Sequence, residues 1–460
     1  MTSINTVVKQ GGFMLKTRLM LLILVAVLSA GLAVACGDDD DDDEEETTTP
    51  SGTTPAGAGE DLGGESVDVL GIWGDEELAS FEAMVAPWQD DTGGSVEFTG
   101  TRDITSLLTT RVEGGNPPDI AIPAEIGLFR QFAAEGELVP LSSCMGLEEQ
   151  IMQNYPQSFI ELGTVDGELY GFFMKADTKG TIWYDPQFFE ENGYEPLSED
   201  STFDDLVALS DEIAAGDHGV PPWSIGNEAD AGSGFPGSDW IQQILLNEAG
   251  EQTYDGVVDG SVPFTDPAVR DAFEKFGQIA LTEGYVAQGG AEGINATNFQ
   301  DATLLPFGDP PEAAMVYLGG FAAGFITDQF PDAVAGEDYD FFPFPGGAVT
   351  GGANIVYAFN SDPATCSVLS WLAGAESQQI WVERGGFTSV NSEVSLDTYP
   401  DEVARKQAQQ LLEAPTFRFD LDDAIGGSVQ QAIFNAIITY LQNPDDLDAL
   451  LQNIEDARGG

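Results

Sequence analysis

From Val67 onward the chain alternates short apolar runs with segments whose apolar residues recur every three or four positions. Val67-Asp68-Val69-Leu70-Gly71-Ile72-Trp73 predicts a buried first strand. Gly74-Asp75-Glu76-Glu77 then turns into an amphipathic helix carrying Phe81, Met84, Val85 and Trp88 on one face. Ser95 to Thr99 predicts a second strand and Ile104 to Val112 a second helix. Gly114-Gly115-Asn116-Pro117-Pro118 breaks the chain before a third short strand at 119–122. Further on, the pattern predicts strands at 181–184 and 313–318, a capped helix from Thr202 to Ala215, and helices at 240–249 and 268–281. Strands alternating with helices predict parallel α/β sheets, and no repeat of fixed period interrupts them. The connections at 221–239 and 285–303 are long for plain connectors and are expected to carry function.

The N-terminus has a different pattern. Lys16 and Arg18 precede an unbroken apolar stretch from Leu19 to Leu28, and small residues lead through Ala33-Val34-Ala35 to Cys36. This predicts an export signal over residues 1–35 rather than a membrane helix, because an acidic run follows where a cytoplasmic anchor carries Lys or Arg. The stretch resembles the lipobox of bacterial lipoproteins, which implies that Cys36 is lipidated and becomes the first residue. Ala33 stands where that motif usually has Leu. Met14 opens a better proportioned signal than Met1. Residues 36–65, with Asp and Glu in succession from 38 to 46 and a Thr/Pro/Gly/Ala stretch after them, predict a solvated tether.

Composition narrows the chemistry. Fifteen Lys and Arg face 79 Asp and Glu, a net charge of −64, which repels phosphate backbones and sets nucleic acid aside. One histidine and three cysteines supply no histidine-based triad, zinc cluster or other metal site, and no cofactor is expected. From residue 66 onward 12 basic and 67 acidic residues remain, a balance that fits a protein working in strong salt, where charge repulsion is screened.

The order of segments is similar to that of the extracellular solute-binding proteins of bacterial ABC sugar importers, the maltose-binding family. The likeness rests on Trp73-Gly74, on Gly114-Gly115-Asn116-Pro117-Pro118-Asp119-Ile120 and on Glu135-Gly136-Glu137-Leu138-Val139-Pro140. It rests also on Asp166-Gly167-Glu168-Leu169-Tyr170-Gly171, Trp183-Tyr184-Asp185, Ala313-Ala314-Met315, Gly319-Gly320-Phe321 and Arg384-Gly385-Gly386-Phe387. Ser233-Gly234-Phe235-Pro236-Gly237-Ser238-Asp239-Trp240 and Phe417-Arg418-Phe419-Asp420 resemble the α-glucoside-binding members most. The resemblance implies a two-lobed α/β fold of the type II periplasmic-binding-protein kind, with a hinge and an interlobe cleft. Lobe one would comprise residues 66–177 and 347–398, and lobe two 178–346 and 399–460. It further implies an exported monomer, held by lipid on Cys36 at the outer face of the cytoplasmic membrane, that captures a sugar and delivers it to the membrane permease.

A pyranose offers an apolar face to aromatic rings and a rim of hydroxyls to planar polar groups. Candidates at loop positions are Trp73, Asp75 and Glu76 after the first strand, Arg102 after the second, and Ala124 and Glu125 after the third. Lys179 falls near the first hinge crossing. Asp239 and Trp240 follow a Gly-rich loop, Phe321 follows Gly320, and Phe387, Arg418 and Asp420 complete the set. Trp73 and Glu76 read equally as core and helix charge, while Arg102 reads rather as a surface ion pair and Tyr184 as packing. Asp119 reads as structural. For Cys144 and Cys366 a disulfide and two buried thiols both fit.

Two other classes compete. An anchored glycosidase needs only paired carboxylates, which are uninformative among 67 acids, and no nucleophile elbow, phosphate loop or zinc motif is present. A non-sugar solute such as a polyamine would suit an acidic cleft.

Overall fold

The computed structural model describes residues 62–101, 103–229 and 232–459, without the side chains of Asp75 and Glu76. The expected signal, Cys36, most of the tether and Arg102 lie outside the described residues. Strand β1 (Ser66–Gly71) leads into helix α1 (Asp75–Thr92), followed by β2 (Ser95–Gly100), α2 (Ile104–Glu113), β3 (Ile120–Ile122) and α3 (Ile126–Glu135). A hairpin of β4 (Thr164–Val165) and β5 (Glu168–Leu169) precedes the long strand β6 (Gly171–Thr178). Helix α1 ends at Gly93, where φ is 71°, a conformation glycine adopts without steric cost. β1 pairs in parallel with both β2 and β3, as strands alternating with helices predict.

Two residues after β6 the chain enters a second sheet. It contains β7 (Thr181–Tyr184) and β8 (Trp223–Ser224), followed in the chain by helices α4 (Phe235–Ala249) and α5 (Glu251–Asp259). β9 (Met315–Tyr317), α6 (Ala322–Gln329) and β10 (Asp340–Pro343) complete it, in the sheet order β10-β7-β9-β8. Thr202 caps the helix Phe203–Ala214 through a reciprocal capping box with Asp205. The chain then returns through β11 (Val349–Ala358), which runs antiparallel to β6 and β3.

Two main cores follow these sheets. One runs from Leu62 to Ala176 and resumes at Val349, while the other, with a smaller satellite cluster, is built mostly from residues 182–344 and 421–454. Here one expectation is corrected. Residues 399–460 were assigned to lobe two, yet helix α7 (Glu402–Glu413) sends Ala408 and Leu411 into the first core, and β12 (Phe417–Phe419) pairs with Val349–Gly351 of β11. The cause is aromatic packing, since Phe417 stacks on Phe159 at 4.4 Å and Phe419 lies 5.4 Å from Phe173. The third crossing therefore comes at Asp420, after which α8 (Leu421–Ile425) and the helix Gly427–Gln442 rejoin lobe two.

Cys144 and Cys366 form a disulfide within lobe one, their Cα atoms 5.2 Å apart. Among the described residues no helix is long and apolar enough to cross a membrane.

Candidate interlobe cleft

The three crossings lie side by side. Lys179 N–H donates to Thr350 O at 2.8 Å, Phe344 N–H to Gly180 O at 3.0 Å and Asp420 N–H to Gly351 O at 3.1 Å. The approach is close enough to demand glycine at 351, where a Cβ would sit 2.0 Å from the Asp177 carbonyl oxygen. Helix α7 braces the junction. Gln410 donates to Gly180 O at 2.7 Å, Gln407 to Gly320 O at 2.8 Å, and Lys406 pairs with Asp340 at 2.9 Å.

Strand direction locates the cleft. β3 ends beside Ile355, whose N–H donates to Pro123 O at 3.1 Å, so the carboxyl ends of β1, β2 and β3 point along β11 toward the crossings. In lobe two, Tyr317 pairs with Ile182 next to the first crossing, so the parallel strands β8 and β9 also end there. Ligands of open α/β sheets bind at such carboxyl ends.

At the centre stands a buried ion cluster. Lys179 Nζ lies 2.8 Å from Asp239 Oδ1 on α4 and 2.6 Å from Asp420 Oδ2 at the third crossing, and both aspartates are 1% exposed. Gln242 also donates to Asp239 Oδ1, at 3.0 Å. Asp422 on α8 is buried close by. Burial pushes all three carboxyls up, with Lys179 opposing it. Asp420 rises well above the usual carboxylate range, and Asp422 is pushed up to about 7 by burial and then by Asp423. Burial pulls the Lys179 ammonium down, yet Asp239 and Asp420 outweigh it and hold the group firmly charged. One cation thus faces three buried carboxyls. Asp239 Oδ2 and Asp420 Oδ1 are buried without a hydrogen-bond partner.

Beside this cluster runs a row of aromatic rings. Lys179 Nζ lies 5.7 Å from the Phe235 ring centroid, and successive centroids follow at 5.0 Å to Phe299, 5.7 Å to Phe325 and 5.9 Å to Phe321. All four rings are half-buried. Phe235 opens α4 after Gly234, which adopts a φ of 107°, and Phe321 precedes α6 just after Gly320, whose N–H donates to Thr178 O at 2.8 Å. The Phe321 end of the row is therefore fixed to the hinge, and the Phe235 end lies beside Lys179.

The structure brings Lys179, Asp239 and Asp420 together and sets Gly320 and Phe321 alongside. Ala124, half-buried, and Glu125, exposed, sit at the end of β3. Three aromatic candidates are corrected. Trp240 is 1% exposed among Trp223, Phe276, Tyr317 and Phe344, and Trp73 is 1% exposed against Phe81, Phe98 and Trp381. Phe387 is likewise buried on Trp381. These rings pack lobe cores and present no face to a ligand, although the Trp73 Nε1–H is left without an acceptor. Asp119 is structural, accepting from Asp68 N–H and from Asn360, and Tyr184 packs on Phe189.

Arg418 points elsewhere. Its guanidinium holds Asp255 at 2.7 and 3.0 Å and Glu251 at 3.0 Å, both on α5, and so ties lobe one to lobe two. Tyr254 OH adds a bond to Phe419 O at 2.7 Å. Next to this clamp is an interlobe cavity of about 300 Å³ lined in part by Ile126, Arg130, Glu161, Asp255 and Arg418.

Sequence reasoning did not single out Phe299 or Phe325. The one signal toward Phe299 was the length of the 285–303 connection in which it lies.

Residues 83–410 match the family profile of a bacterial extracellular solute-binding protein. The osmoprotective compounds-binding protein GgtB of Synechocystis is 32% identical over 401 residues, covering 86% of this chain and 93% of that protein. The alpha-glucosides-binding periplasmic protein AglE of Rhizobium meliloti is 32% identical over 392 residues, covering 82% and 83%. Among solved structures, the bacterial solute receptor AcbH superposes with a TM-score of 0.74 at 18% identity, covering 86% of this chain and 99% of that one. RafE of Streptococcus pneumoniae reaches 0.69 at 16% identity, covering 85% and 97%. At such identities the solved structures speak for the fold alone.

Proposed function

The chain belongs to the bacterial extracellular solute-binding proteins, an exported family of binding proteins, and on that premise we propose that it captures an α-glucoside or a related oligosaccharide between its lobes. The captured sugar passes to the transmembrane subunits of an ABC importer, and Cys36 carries the lipid that holds the protein at the outer face of the membrane. The observation that carries the reading is the row Phe235, Phe299, Phe325 and Phe321 beside Lys179. Half-buried rings suit the apolar faces of successive pyranoses, and the Lys179 ammonium and Glu125 suit their hydroxyls. Similarity to AglE, named for alpha-glucosides, and to GgtB, named for osmoprotective compounds, supports a small polyhydroxylated ligand. Ligand contacting both lobes favours the closed form, and closure is the signal that the permease reads.

The test is thermal unfolding of residues 37–460 in high salt against maltose, trehalose, sucrose and polyamines. Ligand at 100 times its dissociation constant stabilises by about 2.7 kcal/mol, enough to raise the midpoint by several degrees. A rise with a glucoside and none with polyamines supports the reading. A rise with polyamines alone overturns it.

A further inference from the structure

The cluster at the hinge contains more buried acid than its single cation balances. Asp239 and Asp420 are each 1% exposed and flank Lys179, while Asp422 is 2% exposed. Asp239 Oδ2 and Asp420 Oδ1 meet no donor at all. An ionised carboxylate buried without a partner is costly, and the group takes up a proton instead.

The groups facing Asp422 come from every side. They are Lys179 at the first crossing, Asp239 and the Ser238 hydroxyl on α4, Tyr254 on α5, and Asp420 and Asp423 on its own segment. The helix Gly427–Gln442 packed behind α8 carries no charged residue. From lobe one α3 approaches, with Ala424 O 3.9 Å from the Cβ position of Gly127, and its Arg130 lines the neighbouring cavity with Asp255. None of these supplies a second buried cation.

The placement gives the imbalance a mechanical consequence. Lys179 and Asp420 stand on chain crossings, and α8 leaves the third crossing to pack against lobe one through α3 and lobe two through α5. We infer that opening of the lobes about these crossings admits water to the carboxyls and closing removes it, so that the cluster at the third crossing holds a proton when the lobes are closed, releases it when they open, and takes one up on ligand capture. The upward displacement of the Asp422 carboxyl to about 7 places this exchange at neutral pH. A group whose proton affinity is higher in the closed form makes binding tighter as pH falls. Between pH 6 and pH 8 one such group weakens binding ~10-fold.

The inference rests on closure around a ligand, as proposed above, so two readouts are needed. The first uses no ligand. In the full exported chain in high salt, the open form keeps the cluster solvated and ionised, so the stabilities of Asp422→Asn and wild type run parallel from pH 6 to pH 8. Asp239→Asn at the other end of the cluster and the exposed Asp445→Asn run parallel to wild type as well. The second is calorimetric titration, at pH 7 in buffers of different ionisation enthalpy, with whichever of maltose, trehalose or sucrose raises the unfolding midpoint. Wild type takes up protons on binding and Asp422→Asn takes up fewer. A ligand-free stability difference between Asp422→Asn and wild type that grows from pH 6 to pH 8 overturns release of the proton on opening, whether or not a sugar binds. Tight binding with no proton uptake overturns the coupling to closure and leaves the sugar reading intact.

Discussion

Replacing Lys179 by methionine removes, among the described residues, the only cation paired with Asp239 and Asp420, at 2.8 and 2.6 Å, each 1% exposed. The apolar stem is kept, so packing changes little. Removing one partner of a buried ion pair costs about 3–5 kcal/mol because the other charge is left uncompensated. The aspartates escape that state by protonation. From the ordinary carboxyl value of 3.8, at about 1.4 kcal/mol per pH unit, protonation costs ~6 kcal/mol per group at pH 8 but only ~2 kcal/mol at pH 5. The loss of stability is therefore about 3–5 kcal/mol at pH 8 and falls to about 1–2 kcal/mol near pH 5. Denaturant unfolding of wild type and Lys179→Met at the two pH values, in salt high enough to screen the net charge of −64, measures the difference directly. A loss under ~1 kcal/mol at pH 8, or the same loss at both pH values, refutes the reasoning, since either result means that water reaches the carboxylates and solvates them.

Three further predictions concern other parts of the molecule. Cys144→Ser with Cys366→Ser opens a link spanning 222 residues, and by the chain-entropy account stability falls by about 5 kcal/mol, seen as a lower melting midpoint that matches the reduced wild type. Arg418→Met releases α5 from β12, but Asp255 and Glu251 are about half exposed, so the change in stability is ~1 kcal/mol and shrinks in high salt, as denaturation at two ionic strengths would show. Phe321→Ala and Phe235→Ala each weaken binding of the sugar that raises the midpoint about 10-fold by titration, in proportion to one stacking ring, while Trp240→Ala instead costs about 3–5 kcal/mol of stability.

The strands at 66–71, 120–122 and 181–184 were legible because buried strands appear as short apolar runs, and the half-exposed strand at 95–100 because Val96 and Phe98 alternate with polar residues. The third crossing was not. Its strand, Phe417–Phe419, is interrupted by Arg418 and forms no apolar run, and its place in lobe one is decided by Phe159 and Phe173, far away in the chain. A similar limit governs the site. Lys179, Asp239 and Asp420 each stood out at turns and chain junctions, yet only the fold shows that they meet. Trp73, Trp240 and Phe387 had the same local signature as a stacking ring, an aromatic near a strand end or glycines, and were buried by distant partners such as Trp381 and Trp223. Phe299 and Phe325 escaped notice because they occupy apolar helical or helix-edge positions that read as core.

The central claim is that the two lobes close on a sugar. Small-angle scattering of the exported chain in high salt, with and without a saturating α-glucoside, tests it most directly. A smaller radius of gyration and a shorter maximum dimension on adding the glucoside, absent with a polyamine, are the predicted result. A sugar that binds by titration and leaves the scattering profile unchanged would contradict closure about the three crossings.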